Sequence, residues 1–109
     1  MNHIAIVREY LAAYSKKDLN AVARLLAEDV TLQDWNVVVE GKAAALEETR
    51  KNFESAQSIE IAIREIFECE DGVAAQLRIV VDQSIALEVV DVLRFEPEGR
   101  IKAIRAYKG

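Results

Sequence analysis

Residues 73–95 read VAAQLRIVVDQSIALEVVDVLRF, and this stretch decides the fold class. Every second position from residue 73 to residue 81 is apolar, and the same alternation runs from residue 85 to residue 95, interrupted only by Asp91. A period of two predicts strands with one face toward a core. The polar residues 82–84 between the two runs favour a turn. We therefore expect a long antiparallel hairpin.

Further strands are predicted on both sides of this hairpin. Residues 58–69 alternate up to Ile63 and then slip near Glu65, which predicts a bulge. Asp71-Gly72 is typical of a hairpin turn before the strand that begins at residue 73. The run 97–99, Pro-Glu-Gly, predicts the turn before a last strand over 101–107.

The N-terminal part has helical periodicity instead. Apolar residues recur at helical spacing over 3–14 behind a possible N-cap at Asn2, and again up to about residue 27 behind Asp18. A strand over 30–35 and a third helix over 42–54 follow. The prediction is an α+β fold: one domain over residues 1–109 with three N-terminal helices packed on a mostly antiparallel sheet.

The charge and the apolar runs of the sequence argue against two kinds of partner, nucleic acid and membrane. The chain has 109 residues and a formal net charge of -5, with its basic residues scattered, so we expect no nucleic-acid partner. No apolar run has the length of a membrane span or the pattern of a secretory leader. We therefore expect a cytoplasmic protein with no membrane contact.

A metal or a cofactor is not expected. Cys69 is the single cysteine and His3 the single histidine, so neither a disulfide nor a zinc set has enough ligands. A Ser-His-Asp triad is not expected either, because His3 lies near the N-terminus.

Two aspartates stand out by their phase. Asp34 shares parity with Val30 and Leu32, and Asp91 shares parity with the apolar face of its strand. Aspartate is rarely buried without a partner, and such breaks in patterning tend to mark functional sites. Structural alternatives remain for each. Asp34 could end its strand and cap the next loop, while Asp91 could pair with a buried arginine or be turned outward by a bulge.

These aspartates, together with Tyr10 on the first helical stripe, form a plausible catalytic set. An ionised carboxylate can take a proton from carbon next to a carbonyl, and a phenol and a protonated carboxylic acid can donate to the oxygen where charge develops. Asp91, flanked by apolar residues, is the better acid, and Asp34, near polar neighbours, is the better base.

The chain resembles the ketosteroid isomerases (steroid delta-isomerases) and SnoaL-like proteins of the nuclear transport factor 2-like superfamily. The resemblance is carried by VREYLAAYSKKDLNAVARLLAEDVTLQDW at residues 7–35, by EGKAA at 40–44 and, most specifically, by ALEVVDVLRFEPEGRIKAIRAY at 86–107.

The resemblance implies a conical α+β fold, called NTF2-like, with a curved sheet around a cavity. It also implies that Tyr10 and a protonated Asp91 form the oxyanion hole and that Asp34 is the general base. Family members commonly dimerise through the outer sheet face, which would here carry Val90, Val92 and Ile104.

This sequence departs from the enzymes of the family at several positions. Trp35 stands where a proline often follows the base, and Leu26 and Thr49 stand where supporting tyrosines occur. We expect Tyr14, Leu26, Trp35 and Phe53 to line the substrate pocket.

The predicted function is therefore isomerisation of a small apolar ketone of the steroid Δ5-3-ketone type by a homodimer. Two alternatives stay open. One is a polyketide cyclase or an epoxide hydrolase with an Asp-Arg-Asp set that could draw on Arg78, Arg94 or Arg105. The other is a non-catalytic module that binds a small ligand or serves only dimerisation.

Overall fold

The computed structural model describes residues 2–109 of the chain. Its helices are α1 (His3–Ser15), α2 (Leu19–Leu25) and α3 (Lys42–Ser55). Its strands are β1 (Leu26–Gln33), β2 (Val38–Glu40), β3 (Ile59–Cys69), β4 (Gly72–Val81), β5 (Ile85–Phe95) and β6 (Ile101–Lys108). The described residues therefore form the predicted α+β fold.

One six-stranded sheet organises the molecule, in the order β2-β1-β6-β5-β4-β3. All neighbouring strands are antiparallel except β1 and β6, which run parallel. The sheet bends where the register shifts, and the predicted bulge is present between Ile63 and Glu65 of β3. The result is a curved, unclosed sheet with its inner face toward the helices.

The helix starts follow the predicted caps. The side chain of Asn2 accepts a hydrogen bond from the backbone N–H of Ala5 at 3.0 Å, and Asp18 accepts one from Ala21 at 3.0 Å. These bonds satisfy N–H groups that have no partner within the helix. The second helix ends at Leu25, two residues before the predicted end, because Leu26 already has extended backbone and begins β1.

Two other boundaries differ from the sequence prediction. The first strand ends at Gln33, so Asp34 and Trp35 lie in the loop that follows rather than in the strand. The first long hairpin turns at residues 70 and 71, since Cys69 pairs with Gly72 across the turn. The turns at 82–84 and 97–99 lie where the sequence predicts them.

The helices close only part of the inner sheet face. Helix α1 contacts β3 and β4, and α3 contacts β1 and β2. Apolar side chains from α1 and the central strands fill one end of the space between the layers, with Val7 and Leu93 fully buried. The other end stays open as a cavity.

The outer sheet face is solvent-facing and partly apolar. Val90 and Val92 lie on it and are half-buried. Ile104 does not, which corrects the prediction: its side chain is 5% exposed and lines the cavity on the inner face. Within residues 2–109, no helix is long and apolar enough to cross a membrane.

Candidate active site

A cavity of about 280 Å³ lies at the open end of the fold. Helices α1 and α3, the loop after β1, and strands β1, β3, β4, β5 and β6 all contribute to its wall. Most of the lining is apolar, and the polar lining residues are Tyr10, Tyr14, Asp34, Asn36, Thr49, Asn52, Ser55 and Asp91. Tyr10, Asp34 and Asp91, which the sequence singles out, thus line one cavity.

Asp91 lies on β5 with its side chain on the inward face, the side that its phase predicts. It is 9% exposed and is the only buried charged side chain among residues 2–109. No described side chain forms an ion pair or a hydrogen bond with it. Burial raises the pKa of Asp91 from 3.8 to about 7, because the charged form loses its hydration without gaining a partner. Near neutral pH, a large fraction of this carboxyl group keeps its proton and can donate it.

Tyr10 projects from α1 into the same cavity and is 5% exposed. Burial raises the pKa of its phenol well above 10.0, and the nearby Tyr14 and Asp91 raise it further. The hydroxyl therefore stays protonated across the physiological range. Because Asp91 is among the groups that influence Tyr10, the two donors are within electrostatic reach of each other.

Asp34 is held by the loop that follows β1. Its Oδ1 accepts hydrogen bonds from the backbone N–H groups of Asn36 at 2.7 Å and Val37 at 2.9 Å. Its own N–H donates to the carbonyl of Val37 at 2.9 Å. This is the loop-capping alternative, and it coexists with a place in the cavity wall. Both hydrogen bonds end on Oδ1, so Oδ2 has no hydrogen-bond partner among the described residues.

Tyr14 and Trp35 also line the cavity, as expected. Trp35 is 43% exposed and stands at the rim, with the ammonium group of Lys108 5.5 Å from its ring centroid. Leu26 and Phe53 do not line it, which corrects that part of the prediction. Leu26 is buried in the core at the start of β1, and Phe53 packs behind Tyr14, edge to face, with ring centroids 4.9 Å apart.

Helix α3 contributes to the wall through residues other than Phe53, the one that the sequence analysis expects there. Thr49, Asn52, Ser55 and Ala56 face the cavity, and Asn52 Nδ2 donates a hydrogen bond to the hydroxyl of Tyr14 at 2.9 Å. The three- and four-residue spacing that links Ala45, Thr49 and Asn52 places them on one helix face. That spacing was the available signal for Thr49 and Asn52, which the sequence prediction does not include among the pocket residues.

The arginines proposed for an Asp-Arg-Asp set lie elsewhere. Arg78 is exposed and bonds Glu88, Arg94 bonds Asp71, and Arg105 bonds Gln33. Within the described part of the chain, no arginine lines the cavity. Over the same residues, no group of three or more acidic, histidine or cysteine side chains could hold a metal ion.

Comparison with known proteins gives a consistent picture. The sequence profile of the SnoaL-like domain family matches residues 7–104. No curated protein sequence matches the chain.

Many solved structures are similar to this one. A nuclear transport factor 2-like protein of Cytophaga hutchinsonii superposes with a TM-score of 0.84 at 16% identity, covering 100% of this chain and 91% of its own. SalBIII, an epoxide hydrolase/cyclase-like enzyme of polyether salinomycin pyran ring formation, gives 0.85 at 24% identity, covering 98% and 90%. A candidate ketosteroid isomerase of Kribbella flavida gives 0.85 at 17% identity, covering 98% and 77%. At these identities, the superpositions show a shared fold.

Proposed function

The chain belongs to the SnoaL-like domain family, and from this premise we propose that it is an isomerase acting on a small apolar ketone. The reaction moves a proton from the carbon next to the carbonyl, as in a steroid Δ5-3-ketone. One observation carries the proposal: Tyr10, Asp34 and Asp91 line a single, largely apolar cavity. The proposal requires no cofactor.

Asp34 is the general base in this scheme. Its Oδ2 takes the proton from the α-carbon of a β,γ-unsaturated ketone, and the C–H electron pair moves into a dienolate. The same carboxyl group then returns the proton to the γ-carbon, which gives the conjugated ketone with no net change in atoms. The hydrogen bonds that Asn36 and Val37 donate to Oδ1 hold the carboxylate in place while Oδ2 transfers the proton.

Tyr10 and Asp91 stabilise the intermediate. The phenol and the protonated carboxylic acid both donate to the dienolate oxygen, where negative charge develops. Their apolar surroundings strengthen these bonds, because water does not compete for the oxyanion. The raised pKa of Asp91, about 7, is what makes it a donor instead of a second base.

The two alternatives would draw on the same cavity in different ways. Epoxide hydrolysis by an Asp-Arg-Asp set lacks its arginine, since Arg78, Arg94 and Arg105 all bond elsewhere. Aldol-type cyclisation of a polyketide could use the same base and oxyanion donors, so it remains the second candidate. A non-catalytic module that serves only dimerisation would not need an open cavity of about 280 Å³, whereas one that binds a small ligand would use it, so turnover separates that module from the isomerase.

The direct test is turnover of a β,γ-unsaturated 3-ketosteroid by the purified protein. The conjugated product absorbs in the ultraviolet, so the reaction is followed continuously. We expect saturable turnover above the buffer rate. No turnover by folded protein would exclude this substrate, and cyclisation of a linear polyketide mimic under the same conditions would favour the second candidate.

We also propose a homodimer formed through the outer sheet face. Val92 is paired with Ala74, and Val90 with Tyr107, so these side chains share the outer face with the exposed Phe67. Contiguous apolar surface of this kind is typical of protein interfaces. Val92→Glu is expected to convert dimer to monomer in sedimentation analysis, while Val38→Glu, an exposed apolar position on β2, is the matched control. A wild-type monomer, or a Val92→Glu dimer, would contradict the proposal.

A further inference from the structure

Tyr14 and Asn52 form a polar bridge across the cavity wall. Tyr14 lies near the end of α1 and Asn52 near the end of α3, and both line the cavity. The Asn52 amide Nδ2 donates to the Tyr14 hydroxyl oxygen at 2.9 Å. This bridge is not part of the set formed by Tyr10, Asp34 and Asp91.

The direction of this hydrogen bond leaves the proton of Tyr14 free. A phenol has one O–H donor and accepts through its oxygen lone pairs. Since Asn52 is the donor, the Tyr14 O–H must find another acceptor, and residues 2–109 offer it none within hydrogen-bonding distance. Both residues border the cavity, so an acceptor can approach from there.

Tyr14 remains a neutral donor under physiological conditions. Burial raises the pKa of its phenol above 10.0, and although the hydrogen bond from Asn52 lowers it, the charges of Asp91 and Asp34 raise it again. The influence of both aspartates means that the Tyr14 hydroxyl lies within electrostatic reach of each.

The bridge lies one helical turn from Tyr10. The two rings are tilted by 54° with centroids 5.9 Å apart, and four residues of helix rise about 6 Å. Tyr10 is buried, whereas the Tyr14–Asn52 bond lies on the exposed side. The cavity therefore has one polar station at a buried position, formed by Tyr10 and Asp91, and a second at a more exposed position, formed by Tyr14 and Asn52.

We infer that the Tyr14 hydroxyl, oriented by Asn52, binds a second oxygen of the substrate. The ligand is thus a ring ketone of the proposed class that carries another carbonyl or hydroxyl oxygen at its far end. Tyr14 is the binding residue, and Asn52 is a positioning residue that acts through it. The inference rests on the proposed function for the place of the reacting carbonyl.

Two phenols that differ in one oxygen test this inference by binding alone. The first is 6-hydroxy-2-tetralone, and the second is 5,6,7,8-tetrahydro-2-naphthol, which lacks the ketone. Both have a phenol that can mimic the enolate at Tyr10 and Asp91, and the ketone is not conjugated with the phenol ring. We expect wild-type protein to bind the ketone about threefold to tenfold more tightly by titration calorimetry, the effect of one neutral hydrogen bond.

Two variants separate hydrogen bonding from packing. Tyr14→Phe removes the hydroxyl, and Asn52→Asp keeps the side-chain shape but accepts the Tyr14 proton instead of donating to its oxygen. Both are expected to bring the affinity ratio near one, with less than a twofold change for the ligand without a ketone. Tyr10→Phe is the control, because it should weaken both ligands and preserve the ratio.

Several results would overturn the inference. The first is equal affinity of the wild-type protein for the two phenols. The second is a preference for the ketone that persists in Asn52→Asp, and the third is an equal loss of affinity for both phenols in Tyr14→Phe. A ratio of about threefold to tenfold in a protein that turns over no ketosteroid would exclude that substrate and leave the second polar station standing. Failure of both phenols to bind would overturn the proposed site and this inference with it.

Discussion

Asp34→Asn is expected to lower kcat by roughly 10²–10⁴, the usual contribution of a positioned general base. The loss has one cause, because the asparagine amide oxygen can still accept the N–H groups of Asn36 and Val37 that Oδ1 now accepts. The loop should therefore keep its shape, and the melting temperature should stay within about 2 °C, as for a mild surface change. Steady-state kinetics and a thermal melt on the same preparation measure both quantities.

Asp34→Ala is the informative companion. It removes the base and also leaves the two loop N–H groups without their acceptor, so it should lose activity and also some stability, about 1.5 kcal/mol per hydrogen bond to a charged group. Wild-type kcat in Asp34→Asn would show that Asp34 is not the base. In that case Asp91, the other carboxyl group in the cavity, would have to be examined in that role.

The second large effect concerns Asp91 and pH. We expect kcat/KM to fall as pH rises through about 7, since deprotonation of Asp91 removes an oxyanion donor and places a negative charge beside the developing one. Asp91→Asn keeps a donor but cannot ionise, so its profile should stay flat across this range. Asp91→Leu should lose roughly 10²–10³ in kcat at pH 6, the effect of one missing donor. A wild-type profile that rises through pH 7 would contradict the donor role.

Stability should follow the same titration with a defined sign. The folded protein holds the Asp91 proton up to about pH 7, whereas the unfolded chain releases it near pH 3.8, so the folded state binds more protons between these values. The free energy of unfolding therefore falls as pH rises through this window and levels off above about 7. Each unit of difference between the folded and unfolded pKa of Asp91 corresponds to about 1.4 kcal/mol. The free energy of unfolding therefore falls by roughly 4 kcal/mol across this window.

Subtracting a variant isolates this contribution from the other carboxyl groups. Denaturant unfolding of wild type and Asp91→Leu at pH 4.5 and pH 8.5 gives the difference at each pH. Relative to wild type, the free energy of unfolding of Asp91→Leu is expected to be higher at pH 8.5 than at pH 4.5, because the variant no longer buries a charge without a partner. An equal difference at both pH values would mean that Asp91 titrates as in the unfolded chain.

The hydrophobic periodicity of the sequence predicted most of the fold and the inward orientation of Asp91. The alternation through Asp91 is sustained over a long strand, and a strand in a one-sided sheet cannot slip by one residue without exposing its whole apolar face. The inward position of Asp91 could therefore be predicted from the alternation alone. Ile104 pairs with the buried Leu93 and so lies on the inner face, not on the outer face that the family resemblance implied for it.

Asp34 shows where periodicity stops being informative. Three alternating residues predicted a strand through position 35, but the chain leaves the strand after Gln33. The Asp34 side chain instead closes a loop by accepting N–H groups two and three residues ahead, a common competitor of regular structure. The strand interpretation of Asp34 was therefore wrong and the loop-capping alternative is the one present, while the side chain borders the cavity.

By itself, the amino-acid sequence determined the α+β class, the helix caps, the turns and the inward phase of Asp91, since each depends on neighbours along the chain. Only the tertiary structure decided that α3 supplies Thr49 and Asn52 to the cavity, that Leu26 and Phe53 belong to the core, and that Asn52 meets Tyr14. The bridging residues are 38 positions apart. Contacts of that kind depend on how two helices approach one curved sheet, a geometry set by packing of the whole core rather than by local pattern.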